Sequence, residues 1–301
     1  MNASARQPEH HTGAFLILLL GGSCIGFAPV LVRLSDTGPV ASAFWRLALA
    51  APLLWLLAHW RARNAPSAPR SSAHWRNAAL LSGLFFALDL GVWHFSISLT
   101  TVANATLLAN CAPLFVTLYA WLMHRQRPGV IFALGLMLAL GGAVLLVGPH
   151  FSLGGARMRG DLLGIVAALF YTAYMLAVRE ARTHAGTLHL MALSTTISAL
   201  VLLPVAVALS VWQGQPFWPT ASQGWWVVLA LALVTQVGGQ CCIAYALAHL
   251  PVTLSTTGLL VQPVVAAVAA WLLFGEMLAA WQLIGAAVLL TGIYIAKRGS
   301  G

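Results

Sequence analysis

Apolar residues in this chain gather in long unbroken blocks instead of alternating with polar ones. The blocks cover 13–34, 39–58, 77–98, 102–122, 129–148, 160–178, 188–211, 225–247, 252–274 and 279–296. A helix needs about 20 apolar residues to cross the hydrocarbon of a bilayer, and each block comes close to that length. In lipid every backbone N–H and C=O must be satisfied within the segment, which an α-helix does and an isolated strand does not. The pattern therefore predicts an all-α polytopic membrane protein with ten transmembrane helices, joined by connections mostly too short to fold alone.

Composition strengthens this picture. Of the 301 residues 60% are apolar and 7% charged, against about 25% charged in a soluble domain. The mean hydropathy of +0.87 is spread over the whole chain, so this is not a soluble domain with one anchor. The formal net charge of +9, from 15 Lys+Arg against 6 Asp+Glu, sits in short clusters between the blocks. That placement is a topology signal and no footprint for nucleic acid. With the N-terminus inside, Arg6, Arg61, Arg63, Arg70, Arg76, Arg125, Arg127, Arg179, Arg182, Lys297 and Arg298 fall on the cytoplasmic side, leaving only Arg33, Arg157 and Arg159 outside. The positive-inside rule then places both termini of this multi-pass chain in the cytoplasm. Cys24, Cys111, Cys241 and Cys242 lie inside apolar blocks without C-x-x-C spacing and read as small buried side chains. Leu20-Gly21-Gly22-Ser23-Cys24 faintly resembles a lipoprotein cleavage site, but hydrophobicity continues to Val32, which makes a full span.

The chain also repeats itself. A slide of 150 positions superposes Trp75 on Trp225, Val102 on Val252, Thr106 on Thr256, Pro113 on Pro263, Trp121 on Trp271, Gly135 on Gly285 and Gly142 on Gly292. Pro52 pairs with Pro204 at a shift of 152, so small gaps occur earlier. Each unit holds five helices, an odd number, so the second must enter the membrane in the opposite sense to the first. The expected organisation is a tail at 1–12, a first repeat at 13–148, a periplasmic linker at 149–159, an inverted repeat at 160–296 and a tail at 297–301. Two such halves can exchange conformations around a central site, the basis of alternating access.

Few polar groups interrupt the blocks, and at a cost of roughly 2.5–3.5 kcal/mol for a mid-membrane charge each needs a reason. Asp89 lies near the middle of the third block, where no snorkelling route exists. Helical spacing puts Ser82, Phe86, Asp89, Trp93 and Ser96 on one face, which offers an acid among aromatic rings to a proton or a substrate ammonium. Arg46, two turns into the second block, either snorkels outward or serves an internal ion pair or substrate. His94 lies off the Asp89 face and is expected to bond a neighbouring helix, and with Arg46 and Asp89 it is a candidate ion-pair or proton site; no further ligands accompany it for a metal. Thr106, Asn110, Pro113 and Thr117 stripe the fourth block, with Ser255, Gln262 and Pro263 at the matching part of the ninth. Prolines at matched depth in two halves point to a transporter site. Gln236 and Gln240 flank Gly238-Gly239 at the position equivalent to Asp89, and Tyr171 and Tyr174 could stack on a substrate. Gly22, Gly26 and Pro29 make the first block bendable, either as a gate hinge or as packing surface. Gly129, Gly135, Gly142, Gly285 and Gly292 read as scaffold contacts.

The segments A-P-L-F-V-T-L-Y-A-W-L at 112–122 and Q-P-V-V-A-A-V-A-A-W-L-L-F-G-E at 262–276, with F-W-R at 44–46 and the Gly-x6-Gly spacing at 135–142 and 285–292, resemble the drug/metabolite transporter superfamily, EamA-type branch. In overall look the chain is most similar to its bacterial inner-membrane exporters of aromatic amino acids. The resemblance implies efflux through a central cavity, with no cofactor and a monomer as the working unit. One departure is visible: the acid that ends the fourth helix of a unit is present as Glu276 but replaced by Gln126 in the first half. The substrate expected is a small amphipathic metabolite, an amino acid above all, with a proton-coupled exporter of other drugs or metabolites as the alternative. An intramembrane enzyme finds no second intramembrane aspartate and no serine–histidine arrangement to work with, and a non-transporting scaffold or receptor is the remaining class.

Overall fold

The computed structural model describes residues 7–64, 73–147, 157–275 and 277–300; Arg6, Arg70, Glu276 and positions 149–156 lie outside the described residues. Among the described residues ten helices are long and apolar enough to cross a membrane: α1 (Thr12–Leu34), α2 (Pro39–Asn64), α3 (Trp75–Leu99), α4 (Val102–His124), α5 (Val130–Val147), α6 (Met158–Arg182), α7 (Thr187–Gln213), α8 (Ser222–Leu247), α9 (Val252–Phe274) and α10 (Ala280–Arg298). They start close to where the apolar blocks start, but α2, α6 and α10 run on past them into basic last turns carrying Arg61 and Arg63, Arg179 and Arg182, and Lys297 and Arg298. Cations suit a helix C-terminus, and their long stems let the helix continue while the charge reaches water.

The connections collect on two rims. The N- and C-terminal ends share one, where the Lys297 ammonium lies 4.7 Å from the Phe15 ring centre. On the opposite, distal rim Ser96 donates to the Gly160 carbonyl at 2.7 Å and the Arg33 guanidinium sits 4.2 Å over the Phe274 ring. Asp36, between α1 and α2, accepts there from the Thr220 N–H at 2.9 Å, the Thr220 hydroxyl at 2.8 Å and the Ala221 N–H at 3.0 Å. A carboxylate from elsewhere in the chain thus caps the start of α8, where unpaired N–H groups favour an anion. A Cβ on Gly224 would collide with that carboxylate, so the capped turn requires glycine.

Contacts recur in pairs. α6 packs on α3 and α4, and α1 packs likewise on α8 and α9; α3 lies against α7 as α8 lies against α2. α5 and α10 make the most extensive contact in the molecule. In that pair Gly135 and Gly292 each lie against the other's carbonyl, as do Gly142 and Gly285. The two helices therefore run antiparallel, each glycine meeting the one at the opposite end of the other helix's Gly-x6-Gly pair. Small residues let membrane helices approach this closely and gain dispersion contacts.

Three helices are interrupted. α1 breaks at Phe27, two residues before Pro29, and α4 at Asn110-Cys111, two residues before Pro113. α9 breaks at Leu259-Leu260, a few residues before Pro263. Proline removes a donor and crowds the preceding turn, which favours each break, although Pro52 in α2 and Pro204 in α7 are carried inside unbroken helices. α8 carries a different irregularity, a π-helical stretch over Leu231–Gln240, of the kind that gathers at functional positions.

Candidate functional site

The broken parts of α1, α4 and α9 meet the middles of α2, α3, α6 and α8 around a cavity of about 70 Å³. Asp89, Trp93, Asn110, Tyr171, Gln240, Gln262, Arg46, Gly26 and Pro29 all line it, so most residues singled out in the sequence converge on one space. Phe86, Thr106 and Ala109 complete much of the wall. Pro113 and Pro29 withhold the N–H groups that would bond the Ala109 and Ile25 carbonyls, and both of those residues border the cavity.

Its electrostatics rest on two buried charges. Arg46 is only 2% exposed; it does not snorkel, because its Nε donates inward to Gln236 Oε1 at 3.1 Å. Gln236 in turn donates from Nε2 to the Thr195 hydroxyl at 2.9 Å, so a three-residue chain from α2 through α8 to α7 fixes the guanidinium. Gln236 itself is absent from the cavity wall. Asp89 is 7% exposed and faces the same cavity; among the described residues no group donates a hydrogen bond to its carboxylate. Arg46 and Asp89 sense each other's charge, yet no direct ion pair joins them. The Phe86 ring stands 5.8 Å from the guanidinium and stacks 4.6 Å from Tyr174.

The tyrosines divide. Tyr174 is buried behind the wall and donates to Gln240 Oε1 at 3.0 Å, holding that glutamine toward the cavity. Tyr171 reaches the cavity, and its buried hydroxyl, beside Gln262, has no partner of normal geometry; the Thr106 hydroxyl is likewise unpaired. Buried polar atoms of this kind are rare in protein interiors. His94 corrects the sequence expectation. Its Nδ1 meets the Leu90 carbonyl of its own helix at 2.7 Å, one turn back, and no neighbouring helix. It packs edge-on against Trp93, outside the cavity.

Gly22 and Gly26 press α1 onto α9: a Cβ on Gly22 would meet Val261, and one on Gly26 would meet Val265 and the Gln262 carbonyl. Pro113 is buried in packing, and Pro263 lines a second space. That second cavity, of about 590 Å³, lies toward the distal rim between α1, α4, α5, α9 and the start of α10. Pro29 and Thr106 border both spaces, which are therefore neighbours. Two acids escaped the sequence reading. Asp36 is the cap described above, and Asp161 at the start of α6 is 3% exposed and accepts from Thr100 Oγ1 at 2.8 Å and Asn104 Nδ2 at 3.2 Å. An acid in the first turn of a helix was the available signal for Asp161.

The chain is similar to a transporter of Archaeoglobus fulgidus, 23% identical over 284 residues and spanning 94% of both chains. It is 25% identical over 220 residues to the pseudopaline exporter CntI of Pseudomonas aeruginosa, covering 73% of this chain and 74% of the exporter. A solved crystal structure superposes with a TM-score of 0.77 at 18% identity, over 96% of this chain and 98% of its own, which establishes the shared fold. The EamA-like transporter family is matched twice, over residues 12–148 and again over 158–297, so this ten-helix chain belongs to the EamA-like transporter family of the drug/metabolite transporter superfamily.

Proposed function

We propose that this transporter exports small amphipathic metabolites, amino acids including aromatic ones among them, by alternating access through the cavity between its halves. The observation that carries this reading is the small central cavity, walled by Asp89, Arg46 and aromatic rings and adjoining a larger space toward the distal rim. Supporting it, the pairwise recurrence of contacts and the antiparallel α5–α10 glycines fit two inverted repeats, which supply two conformations of similar energy. The resemblance to a pseudopaline exporter supports outward transport of a metabolite. Both termini are assigned to the cytoplasm, the chain to the inner membrane and the working unit to a monomer. Asp89, Trp93, Asn110, Tyr171, Gln240 and Gln262 contact substrate; Gln236 and Tyr174 support them from behind. Pro113, Pro263, Pro29, Gly22 and Gly26 give the broken helices their freedom to move.

Proteoliposomes loaded with tryptophan, phenylalanine and other neutral amino acids test the substrate class. Protein-dependent flux of at least one is expected, and none with any of them ends the amino acid assignment. A second reading, proton-coupled export of other metabolites, is favoured by a carboxylate with no described hydrogen-bond donor. Asp89→Asn discriminates: lost stimulation by a pH gradient supports coupling through Asp89, and unchanged flux with an unchanged pH response removes it.

A further inference from the structure

We propose that Arg46 and Asp89 form a clamp for the zwitterionic head of an α-amino acid, Arg46 taking the carboxylate and Asp89 the ammonium. This deepens the transport reading and rests on it for its biological setting. In a bundle without ligand, two opposite charges buried in one cavity gain most by collapsing into contact. Here they do not. The guanidinium is held back by the Gln236–Thr195 chain through Nε, which leaves its terminal nitrogens without a described partner, and Asp89 has no described donor. A held-apart cation and anion are the complement of a molecule that carries both charges close together. Arginine's planar fork suits a carboxylate, and Asp89 can accept from an ammonium.

A ligand with one charge would neutralise one partner and leave the other buried and uncompensated, the costly outcome for charges in low dielectric. Selectivity for the head group is therefore strict. Selectivity for the side chain is loose, for a reason of size. A cavity of about 70 Å³ between Phe86, Trp93 and Tyr171 takes the head and little more of the ligand. The remainder is directed toward the larger apolar space that Pro29 and Thr106 also border.

The test uses the full chain, purified in detergent for calorimetric binding and reconstituted for flux, with two series. One is phenylalanine, phenethylamine and 3-phenylpropionate; the other is leucine, isopentylamine and 4-methylpentanoate. Both amino acids are expected to bind at least about tenfold tighter than either of their analogues, the scale of one charge-assisted hydrogen bond. Arg46→Gln should bring the amino acid down to its amine, and Asp89→Asn should bring it down to its acid. The unmodified protein decides the matter even if those variants fail to fold. An amine or acid that binds as tightly as its amino acid overturns the clamp, as does absence of binding by both amino acids. Zwitterion-selective binding without flux keeps the clamp and sinks the transport reading. Flux that ignores head-group charge keeps transport and sinks the clamp.

Discussion

Gln236 shows how one uncharged side chain governs a charged site. Its amide passes the position of Thr195 to Arg46, so Gln236→Leu removes the acceptor and leaves a buried donor unmatched. Such a loss costs about 1–3 kcal/mol. The expected outcome is a drop in thermal stability together with a flux loss exceeding that of Gln236→Asn, measured in the same liposomes. Asp36 offers a residue-scale prediction in pH. Burial alone would raise its carboxyl pKa, but the Ala221 and Thr220 donors outweigh that and hold it below the ordinary range. A group depressed in the folded state stabilises above its unfolded value, near 4, and the contribution vanishes as pH falls through the folded one. Asp36→Asn should therefore lower Tm at pH 7, with a gap from the unmodified protein that narrows below about pH 4. A gap constant with pH would show that charge plays no part in the cap.

At the scale of elements, α5 and α10 form a tightly packed seam while α1, α4 and α9 are interrupted. Gly142→Leu would drive a side chain into the Leu289 backbone, where neither partner can yield. Overpacking of this kind costs about 1–3 kcal/mol, and the expectation is a lowered Tm with unaltered ranking of substrates by the protein that survives. Pro113→Ala and Pro263→Ala restore N–H donors and favour continuous helices. Turnover should fall severalfold with each while equilibrium binding changes little, because the site residues remain and the bending freedom is reduced. Equal losses in binding and turnover would place these prolines in the static wall instead. The π-helical stretch of α8 belongs to the same scale, since it carries both Gln236 and Gln240 as buried side chains, one turned to Arg46 and the other to Tyr174.

For the whole molecule, the distal rim is the open one: the large cavity lies on that side, while α1 closes on α8, α9 and the end of α10 toward the terminal rim. If the termini are cytoplasmic, this is an outward-facing arrangement. Single added cysteines report on that directly, with Ser35→Cys expected to react with an impermeant thiol reagent from outside the cell and His184→Cys only after permeabilisation. The reverse pattern would turn the molecule over and make the same cavity an uptake route. The four native cysteines are partly buried, and controls without the added thiol set the background.

The lengths of the apolar blocks alone determined the ten helices, because a bilayer penalises every unsatisfied backbone group and so fixes length and type locally. The breaks beside Pro29, Pro113 and Pro263 were legible for the same reason, proline acting within a turn of itself, and the glycines of α5 and α10 were legible as scaffold contacts, though not as each other's partners. The sequence could not decide whether Arg46 snorkels, which of two tyrosines reaches the cavity, or that His94 turns back on its own helix. Those depend on rotations of helices about their axes, set by contacts between residues far apart in sequence, 190 positions for Arg46 and Gln236 and 66 for Tyr174 and Gln240. Tertiary packing alone placed Gln236 behind Arg46 and kept Arg46 and Asp89 unjoined, because distance between charges on separate helices is a property of the assembled bundle.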